Sequence, residues 1–196
     1  MSPPDALAAL LAGNERFLSG DSHHEAHAHR LATLASGQNP WAIVLSCSDS
    51  RVSPEIVFDA TLGDLFVVRV AGNFADAKGI GSMEYAVLQF ATPIVFVLGH
   101  SGCGAIQATV ENARAGRPQA PGQIGVLIDA LAPAVSVAQH RPGDLNANAA
   151  EENVRANVAK IEGSAAIVAP AVRDGNLLVA GGVYDTATGR IRMVER

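Results

Sequence analysis

Apolar residues along the chain follow two alternating patterns: short continuous runs, and longer segments with helical spacing. The continuous runs are rich in branched residues and read WAIVLS, DLFVVRVAGN, TPIVFVLGHSGCG and NLLVAGGVYD. Runs of this length next to polar or glycine-rich residues are typical of buried strands. We therefore predict four strands, which begin near Trp41, Asp64, Thr92 and Asn176.

The segments between the runs have the spacing of amphipathic helices. The predicted helices cover residues 5–19, 80–91, 105–115, 123–138 and 146–161. Strands that alternate with helices indicate an α/β fold, a mostly parallel β-sheet flanked by α-helices. The last segment, YDTATGRIRMVER, predicts a hairpin with its turn at ATG, so we expect about four parallel strands plus an edge strand.

Composition narrows the classes of partner. The formal net charge is -5 and no long Lys/Arg run is present, which argues against nucleic acid or an anionic membrane as the main partner. The apolar runs are far shorter than the roughly 20 residues of a membrane span. No signal peptide is visible over residues 1–18, so a cytoplasmic location is expected. With no internal repeat or linker, residues 1–196 are predicted to form one domain.

Both cysteines of the chain lie where predicted strands end. Cys47, Asp49 and Arg51 alternate after the first run, and in an extended segment their side chains project to the same side. His100 and Cys103 follow the third run within GHSGCG, where glycines allow a sharp turn. Ligands bind outside the carboxyl ends of parallel strands, so these residues are expected to converge.

Two sulfurs, one imidazole and one carboxylate form a set of ligands that suits zinc. Asp49 has a second possible partner, because the guanidinium of Arg51 can hold a carboxylate through two hydrogen bonds. Asp49 could therefore leave the metal and open the position that a catalytic zinc needs. Each residue also has a structural interpretation, a buried apolar cysteine or an Asp/Arg pair that braces a loop, and the joint pattern favours the metal site.

Four of the six histidines lie in the tract HHEAHAH, at residues 23–29. A histidine-rich tract can bind metal. The neighbouring residues are polar and no cysteine is near, which favours a solvated helix or loop outside the site.

The motif CSDSR, followed some fifty residues later by GHSGCG, resembles the β class of carbonic anhydrases. The resemblance extends through SGQNP, GDLFVVRVAGN, GSMEYAVL and YDTATG. It implies that Cys47, His100 and Cys103 bind one Zn²⁺ per chain, and that the chain hydrates carbon dioxide reversibly to bicarbonate and a proton. It also implies that Asp49, held by Arg51, orients a zinc-bound hydroxide or, in a closed form, becomes the fourth zinc ligand.

The resemblance further implies a substrate pocket of the plant-type members. Its residues would be Gln38, Phe66, Ala71, Tyr85 and Gly104. A subgroup regulated by bicarbonate has a tryptophan three residues before the first cysteine, where this chain has Val44. That regulatory site is therefore not expected here, and Arg69 and Tyr184, which match its other positions, are interpreted as structural.

The resemblance implies an assembly as well. Members of the family form a homodimer or a dimer of dimers, build their sites at a dimer interface, and embrace the partner with an N-terminal helix. We accordingly expect residues 1–35 to form a helical arm that packs on the partner subunit. Gln38 and Tyr85 are then expected to serve a zinc site whose ligands belong to the other chain.

Three other functions compete with this interpretation. GHSGC nearly matches the G-x-S-x-G motif of serine hydrolases, but Cys103 replaces the last glycine and only His140 lies downstream as a base. A structural zinc site with Asp49 as a permanent fourth ligand is the non-enzymatic alternative. Relatives of the family with the same ligands hydrolyse carbonyl sulfide or carbon disulfide, and the sequence separates these substrates poorly.

Overall fold

Five strands form one sheet in the computed structural model, which describes residues 1–23, 30–116, 118–164 and 166–195. The strand order is β2-β1-β3-β4-β5. β1 to β4 are parallel and β5 runs antiparallel to β4. The strands are β1 Ala42–Ser46, β2 Leu65–Arg69, β3 Ile94–His100, β4 Leu178–Tyr184 and β5 Ile191–Met193. The predicted α/β sheet with an antiparallel edge strand is confirmed.

Eight helices accompany the sheet in the described part of the chain. They are α1 Pro3–Ser19, α2 Leu31–Leu34, α3 Pro54–Val57, α4 Ala77–Phe90, α5 Gly104–Arg114, α6 Ile124–Ala138, α7 Leu145–Glu162 and α8 Val168–Arg173. The five predicted helices are present, with ends that differ by at most three residues. The short helices α3 and α8 were not predicted, because four to six residues carry too little periodicity. No helix within these described ranges has the length and apolarity needed to cross a membrane.

Each face of the sheet is covered by its own set of helices. Side chains such as Ile43 and Val97 point to one face and pack against α4, α7 and α8. Val44 and Phe96 point to the other face and pack against α1 and α3. This alternation follows from the period of two in a strand, and it leaves β1 and β3 buried on both sides.

The N-terminal helix α1 packs on the sheet of its own chain. Its residues Ala6 and Leu10 are fully buried in the same apolar cluster as Phe96. Ser2 caps the helix through its side-chain oxygen, which accepts the N–H of Asp5. These contacts all lie within one chain. The packing of residues 1–35 on a partner subunit therefore stays a prediction. All but the first residue of the histidine tract at 23–29 lie outside the described residues.

Helix α7 approaches the sheet closely because two strands carry glycine beneath it. A Cβ atom built on Gly99 would lie 2.6 Å from Cγ2 of Val154, and one on Gly181 would lie 2.5 Å from Cγ1 of the same residue. Real Cβ atoms do not approach so closely, so the two glycines are what allow the helix to pack at this depth. The polar residues of α7 are thereby brought close to the carboxyl edge of the sheet.

An arginine cluster ties α7 to the surrounding elements. Glu151 accepts hydrogen bonds from Arg141 at 3.0 Å, Arg155 at 2.9 Å and Arg192 of β5 at 2.8 Å. Burial opposes ionisation of this carboxyl, but the three guanidinium groups outweigh it and lower the pKa of Glu151 to about 2. The carboxylate therefore joins the α6–α7 loop, α7 and β5.

Candidate metal centre

Two adjacent parallel strands bring the candidate metal ligands to one edge of the sheet. Cys47 directly follows β1, His100 is the last residue of β3, and Cys103 is the N-cap residue of α5. Because β1 and β3 pair in parallel, their carboxyl ends lie side by side. The predicted convergence of these three residues is therefore observed.

The three donor atoms form a compact and buried group. One ligand atom each from Cys47, His100 and Cys103 lies within 4.8 Å of the other two. The two sulfurs are 4.0 Å apart, close to the roughly 3.8 Å expected for two thiolates at about 2.3 Å from a tetrahedral zinc. The donor set and its spacing fit zinc.

The tautomer of His100 leaves one ring nitrogen free to bind a cation. Nδ1 lies 3.0 Å from the carbonyl oxygen of Ser101, and since that oxygen can only accept, Nδ1 carries the proton. In the neutral imidazole, Nε2 then holds the lone pair. It is buried and has no hydrogen-bond partner among the residues described. A buried acceptor without a partner is costly, which is the pattern expected of a metal ligand.

A hydrogen bond between the two thiols shifts their pKa values in opposite directions. A hydrogen bond from the Cys103 thiol lowers the pKa of Cys47 to about 4, against the opposing effect of burial, and the backbone N–H of Gly72 adds to the lowering. That N–H lies 3.3 Å from the Cys47 sulfur. Bonding to Cys47 and burial both raise the pKa of Cys103. One thiolate thus forms readily, and a bound cation would supply the charge that allows the second.

Asp49 is held beside the three donors by Arg51. Both oxygens of Asp49 accept hydrogen bonds from the guanidinium of Arg51, and the backbone N–H of Arg51 donates to Oδ1 at 3.0 Å. These bonds hold the pKa of the Asp49 carboxyl well below its usual range. Oδ2 of Asp49 lies 3.9 Å from Nε2 of His100. The carboxylate therefore stays ionised at the border of the donor group while engaged with Arg51.

Arg69, at the end of β2, braces the loop that carries these groups. Its Nε donates to the carbonyl oxygen of Cys47 at 3.0 Å. Its Nη2 donates to the carbonyl oxygens of Asp49 at 2.7 Å and Val52 at 3.0 Å. The structural role expected for Arg69 is thus observed, with the added detail that all three acceptors lie in the CSDSRV segment.

The other residues predicted for the pocket fall into two groups. Ala71 and Gly104 lie beside the donors, since Ala71 precedes Gly72 and Gly104 follows Cys103 as the first residue of α5. Gln38 is exposed and precedes β1, whereas Cys47 follows it, so the five residues of β1 separate them by about 17 Å along the strand.

Phe66 and Tyr85 also lie apart from the donor group. Their rings form a cluster with Phe90, with a centroid distance of 6.4 Å between Phe66 and Tyr85. Tyr85 is 52% exposed. Within one chain, the structure therefore brings Ala71 and Gly104 to the metal ligands and leaves Gln38, Phe66 and Tyr85 away from them.

Ser101, the serine of GHSGC, is committed to a structural contact. Its hydroxyl lies 3.1 Å from that of Thr186 and accepts the N–H of Thr186 at 2.9 Å. This contact holds the ligand loop to the β4–β5 turn. His140 is exposed at the end of α6, where its Nε2 lies 3.3 Å from Nε2 of Gln139.

One residue of the site was missed by sequence analysis. Gly72 donates its N–H to the Cys47 sulfur. Its φ of 88° lies in the left-handed region, and a Cβ there would lie 2.7 Å from Leu131. The signal that could have found it is the glycine in VRVAGN, three residues after the end of β2, because glycine often marks a close approach of the backbone to a ligand.

Comparison with known proteins identifies the family. The family model described as carbonic anhydrase matches residues 42–191. Carbonic anhydrase 2 of Mycobacterium tuberculosis is 37% identical over 192 residues, which cover 96% of this chain and 91% of the relative. Among solved structures, the Coccomyxa β-carbonic anhydrase in complex with acetazolamide has a TM-score of 0.74 at 26% identity and covers 97% of this chain and 86% of its own.

A second set of solved structures extends the likeness of the fold. These are two tetrameric β-carbonic anhydrases from the ascomycete Sordaria macrospora, matched with a TM-score of 0.76 at 22% identity over 98% of each chain. The family match and the relative from M. tuberculosis each span most of the chain, and the solved structures share its fold. The chain therefore belongs to the β-carbonic anhydrase family of enzymes.

Proposed function

We propose that the chain catalyses the zinc-dependent, reversible hydration of carbon dioxide to bicarbonate and a proton. The observation that carries this proposal is the group of three buried donor atoms within 4.8 Å of one another, beside a carboxylate held by an arginine. Cys47, His100 and Cys103 would hold the metal. Zinc bound there would supply a Lewis acid that makes water acidic enough to act as a nucleophile near neutral pH.

Asp49 is proposed to orient the attacking water. Arg51 occupies both carboxylate oxygens, yet an ionised carboxylate offers about four lone-pair sites, so a further hydrogen bond can be accepted. By accepting a hydrogen bond from that water, Asp49 would direct an oxygen lone pair of the water at the carbon of the substrate. The pairing of Asp49 with Arg51 supports the open form of the site, with Asp49 off the metal.

Backbone near the donors is proposed to receive the substrate oxygens. Gly104 is the first residue of α5, and the N–H groups of a helical first turn are free to bind groups that gain negative charge. Ala71, between β2 and Gly72, would form the apolar wall for carbon dioxide. These two residues are the part of the predicted pocket that a single chain supplies.

The proposed activity is tested by stopped-flow measurement of carbon dioxide hydration, from about pH 6.5 to 9, on wild-type protein with its metal content measured. We expect close to one zinc per chain and a rate that rises with pH. The Cys103→Ser variant should lose both the zinc and the activity. A zinc-loaded wild type without hydration at any pH would refute the proposal and redirect the assay to carbonyl sulfide, carbon disulfide or a structural role.

The remaining pocket residues are proposed to act on a second copy of the chain. Gln38, Phe66 and Tyr85 lie away from the donor group of their own chain, so they complete a site only if another copy brings its donors to them. The edge strand β2 pairs only with β1 among the described residues. Next to it, Tyr85 and Leu88 of α4 are 52% and 66% exposed. Exposed apolar side chains beside an open strand edge support a homodimer at this surface.

Mixing two inactive variants tests the shared site. A dimer of one Cys47→Ser chain and one Gln38→Ala chain contains one site with both residues intact. With random exchange we expect about a quarter of wild-type activity to return. If Gln38 serves its own chain, mixing restores nothing. Light scattering on the same samples measures the oligomer size and distinguishes a dimer from a dimer of dimers.

Two further predictions concern the chain as a whole. We propose that residues 1–196 form one domain, supported by the packing of Ala6 and Leu10 of α1 against the same sheet that carries the metal donors. A single cooperative unfolding transition that coincides for different probes would test it. The expected cytoplasmic location stays a prediction, and cell fractionation is its test.

A further inference from the structure

We propose that Asn153 and Asn157, two buried amides of α7, are positioning residues for the thiolate of Cys47. The inference rests on the proposed function, since it takes Cys47 as a zinc ligand. Only 2% of Asn153 and 6% of Asn157 are exposed. Neither residue touches the cysteine, and both act through the loop between β2 and α4.

The two amides are joined in a network whose orientation the backbone fixes. Oδ1 of Asn157 accepts the N–H of Ala75 at 2.7 Å, so its amide nitrogen faces Asn153. That nitrogen donates to Oδ1 of Asn153 at 2.9 Å and to the carbonyl oxygen of Asn153 at 2.8 Å. Nδ2 of Asn153 in turn donates to the carbonyl oxygen of Gly72 at 2.8 Å. Each flip of an amide would therefore break a bond.

The loop that the amides hold adopts an unusual backbone conformation. Gly72 has a φ of 88° and Asn73 a φ of 41°, both in the left-handed region. A non-glycine residue in this region is disfavoured and persists where its surroundings fix it. Asn153 binds Gly72 on one side of this strained pair and Asn157 binds Ala75 on the other, so the two amides span it.

The loop conformation aims one backbone donor at the metal site. In it, the N–H of Gly72 lies 3.3 Å from the sulfur of Cys47, and Gly72 is the same residue whose carbonyl oxygen Asn153 holds. A backbone N–H that donates to a thiolate stabilises the negative charge of the sulfur and fixes its orientation towards the metal. Loss of such an outer partner typically costs about 10- to 100-fold in metal affinity.

The two buried amides also satisfy each other's hydrogen-bonding groups, and these bonds join α7 to the loop. In a purely structural role, this contribution to stability would be their only effect. The two roles differ in what they change. A structural pair affects only the free energy of unfolding. A positioning pair also changes the bond between Cys47 and the metal, at equal stability.

The test uses Asn153→Asp and a control on the same helix. The aspartate keeps an oxygen for the Asn157 amide but places its other oxygen, in place of the Nδ2 donor, against the Gly72 carbonyl. Val158→Ala shortens a buried side chain of α7 that lies beside Gly181 of β4 and leaves both hydrogen bonds to the 70–75 loop in place, so it controls for lost stability. Asn153→Ala removes the donor without adding a charge, and is used if the aspartate variant does not fold.

Two readouts are measured on the full-length, metal-loaded protein. The first is the rate at which excess EDTA removes zinc, which we expect to rise about 10- to 100-fold in Asn153→Asp and to stay within about twofold of wild type in Val158→Ala. The second is the thiolate-to-metal charge-transfer band of cobalt-substituted protein, which should shift in the asparagine variant and remain in place in the control.

The outcomes separate this inference from the proposed function. If wild type binds no zinc or cobalt, the proposed function fails and this inference with it. If wild type binds both metals but the asparagine variants release zinc at the rate of Val158→Ala with an unshifted band, only the positioning role is overturned. Faster release together with a shifted band supports it.

Discussion

Arg51 forms a two-pronged pair with Asp49, in which Nε lies 3.0 Å from Oδ1 and Nη2 lies 2.8 Å from Oδ2. The same Nη2 lies 3.3 Å from the carbonyl oxygen of Gly102, in the loop between His100 and Cys103. The pair therefore connects the loop that carries the first cysteine to the loop that carries the second. Only an arginine can form this pair, because its planar guanidinium presents two parallel donors, whereas a lysine offers a single charged nitrogen.

The Asp49→Asn variant should retain zinc and lose activity. The amide has nearly the shape of the carboxylate but is a much weaker acceptor, so it orients the attacking water poorly. We expect hydration to fall by about 10²- to 10³-fold, the usual cost of removing one oriented polar group from an active site. Stopped-flow rates and zinc content are measured on the same sample, with exposed Asp129→Asn as control. A variant with full zinc and full activity would contradict the proposed role of Asp49.

Replacing Arg69 by glutamine should loosen the CSDSRV loop. The variant loses charge-assisted hydrogen bonds to the carbonyl oxygens of Cys47, Asp49 and Val52. We expect the free energy of unfolding to fall by about 1–3 kcal/mol in urea titrations. The exposed Arg173→Gln serves as control and should change stability by less than about 0.5 kcal/mol. Equal stability of the two variants would show that the brace contributes nothing.

Glu151→Gln should destabilise the protein in a pH-dependent way. The folded pKa of Glu151, about 2, lies below the ordinary value of 4.5, so its contribution is present above about pH 4.5 and is lost as the pH falls towards 2. We expect the variant to lose roughly 1–3 kcal/mol at pH 7 and the difference from wild type to narrow by pH 3.5. Urea unfolding at both pH values, at one protein concentration, measures this.

The control for Glu151 is Glu111→Gln, which alters an exposed carboxylate of α5 whose partner is Gln107. It should change stability little at either pH. A Glu151 effect that stays constant between pH 7 and 3.5 would mean that packing, and not charge, links α7 to β5.

Gly99→Ala should destabilise the fold, and a second substitution should relieve it. The added Cβ would lie 2.6 Å from Cγ2 of Val154 but 3.6 Å or more from its other neighbours. Overpacking of this kind typically costs about 1–3 kcal/mol. Val154→Ala removes the clashing methyl, so the double variant should be more stable than the sum of the two single effects predicts. Thermal and urea unfolding of all four proteins complete the cycle, and strict additivity would contradict this packing.

The sequence supplied the strands and the ligands because their signals are local. Continuous apolar runs identified β1 to β4, and the spacing of Cys47, Asp49 and Arg51 placed three chemical groups at one strand end. The apolar run WAIVLS between Gln38 and Cys47 already predicted a strand that separates them. What came only through the family resemblance is the assignment of Gln38, Phe66 and Tyr85 to one pocket, because no local pattern connects these three residues.

Asn153 and Asn157 were missed for a different physical reason. In the segment AEENVRANVAKI, asparagine next to charged residues has the composition of an exposed helix face. Their spacing of four places them together on one side of α7, and that side adjoins the buried stripe of Val154, Val158 and Ile161. A polar pair beside an apolar stripe could have been noticed, but its partners, Gly72 and Ala75, lie some eighty residues earlier in the chain.

The order of the elements along the chain also decides when the metal site can form during synthesis. All three metal donors have been synthesised once Cys103 emerges. Helix α7, which packs in the cluster of the two cysteines through Ala149, ends at Glu162, and β5, which completes the sheet, ends at Met193. At roughly 5–20 residues per second, the ribosome adds them several seconds later. During that interval the nascent chain carries both thiols while their apolar cluster still lacks its contribution from α7, so Cys47 and Cys103 are more accessible to oxidants and metal ions than in the folded protein.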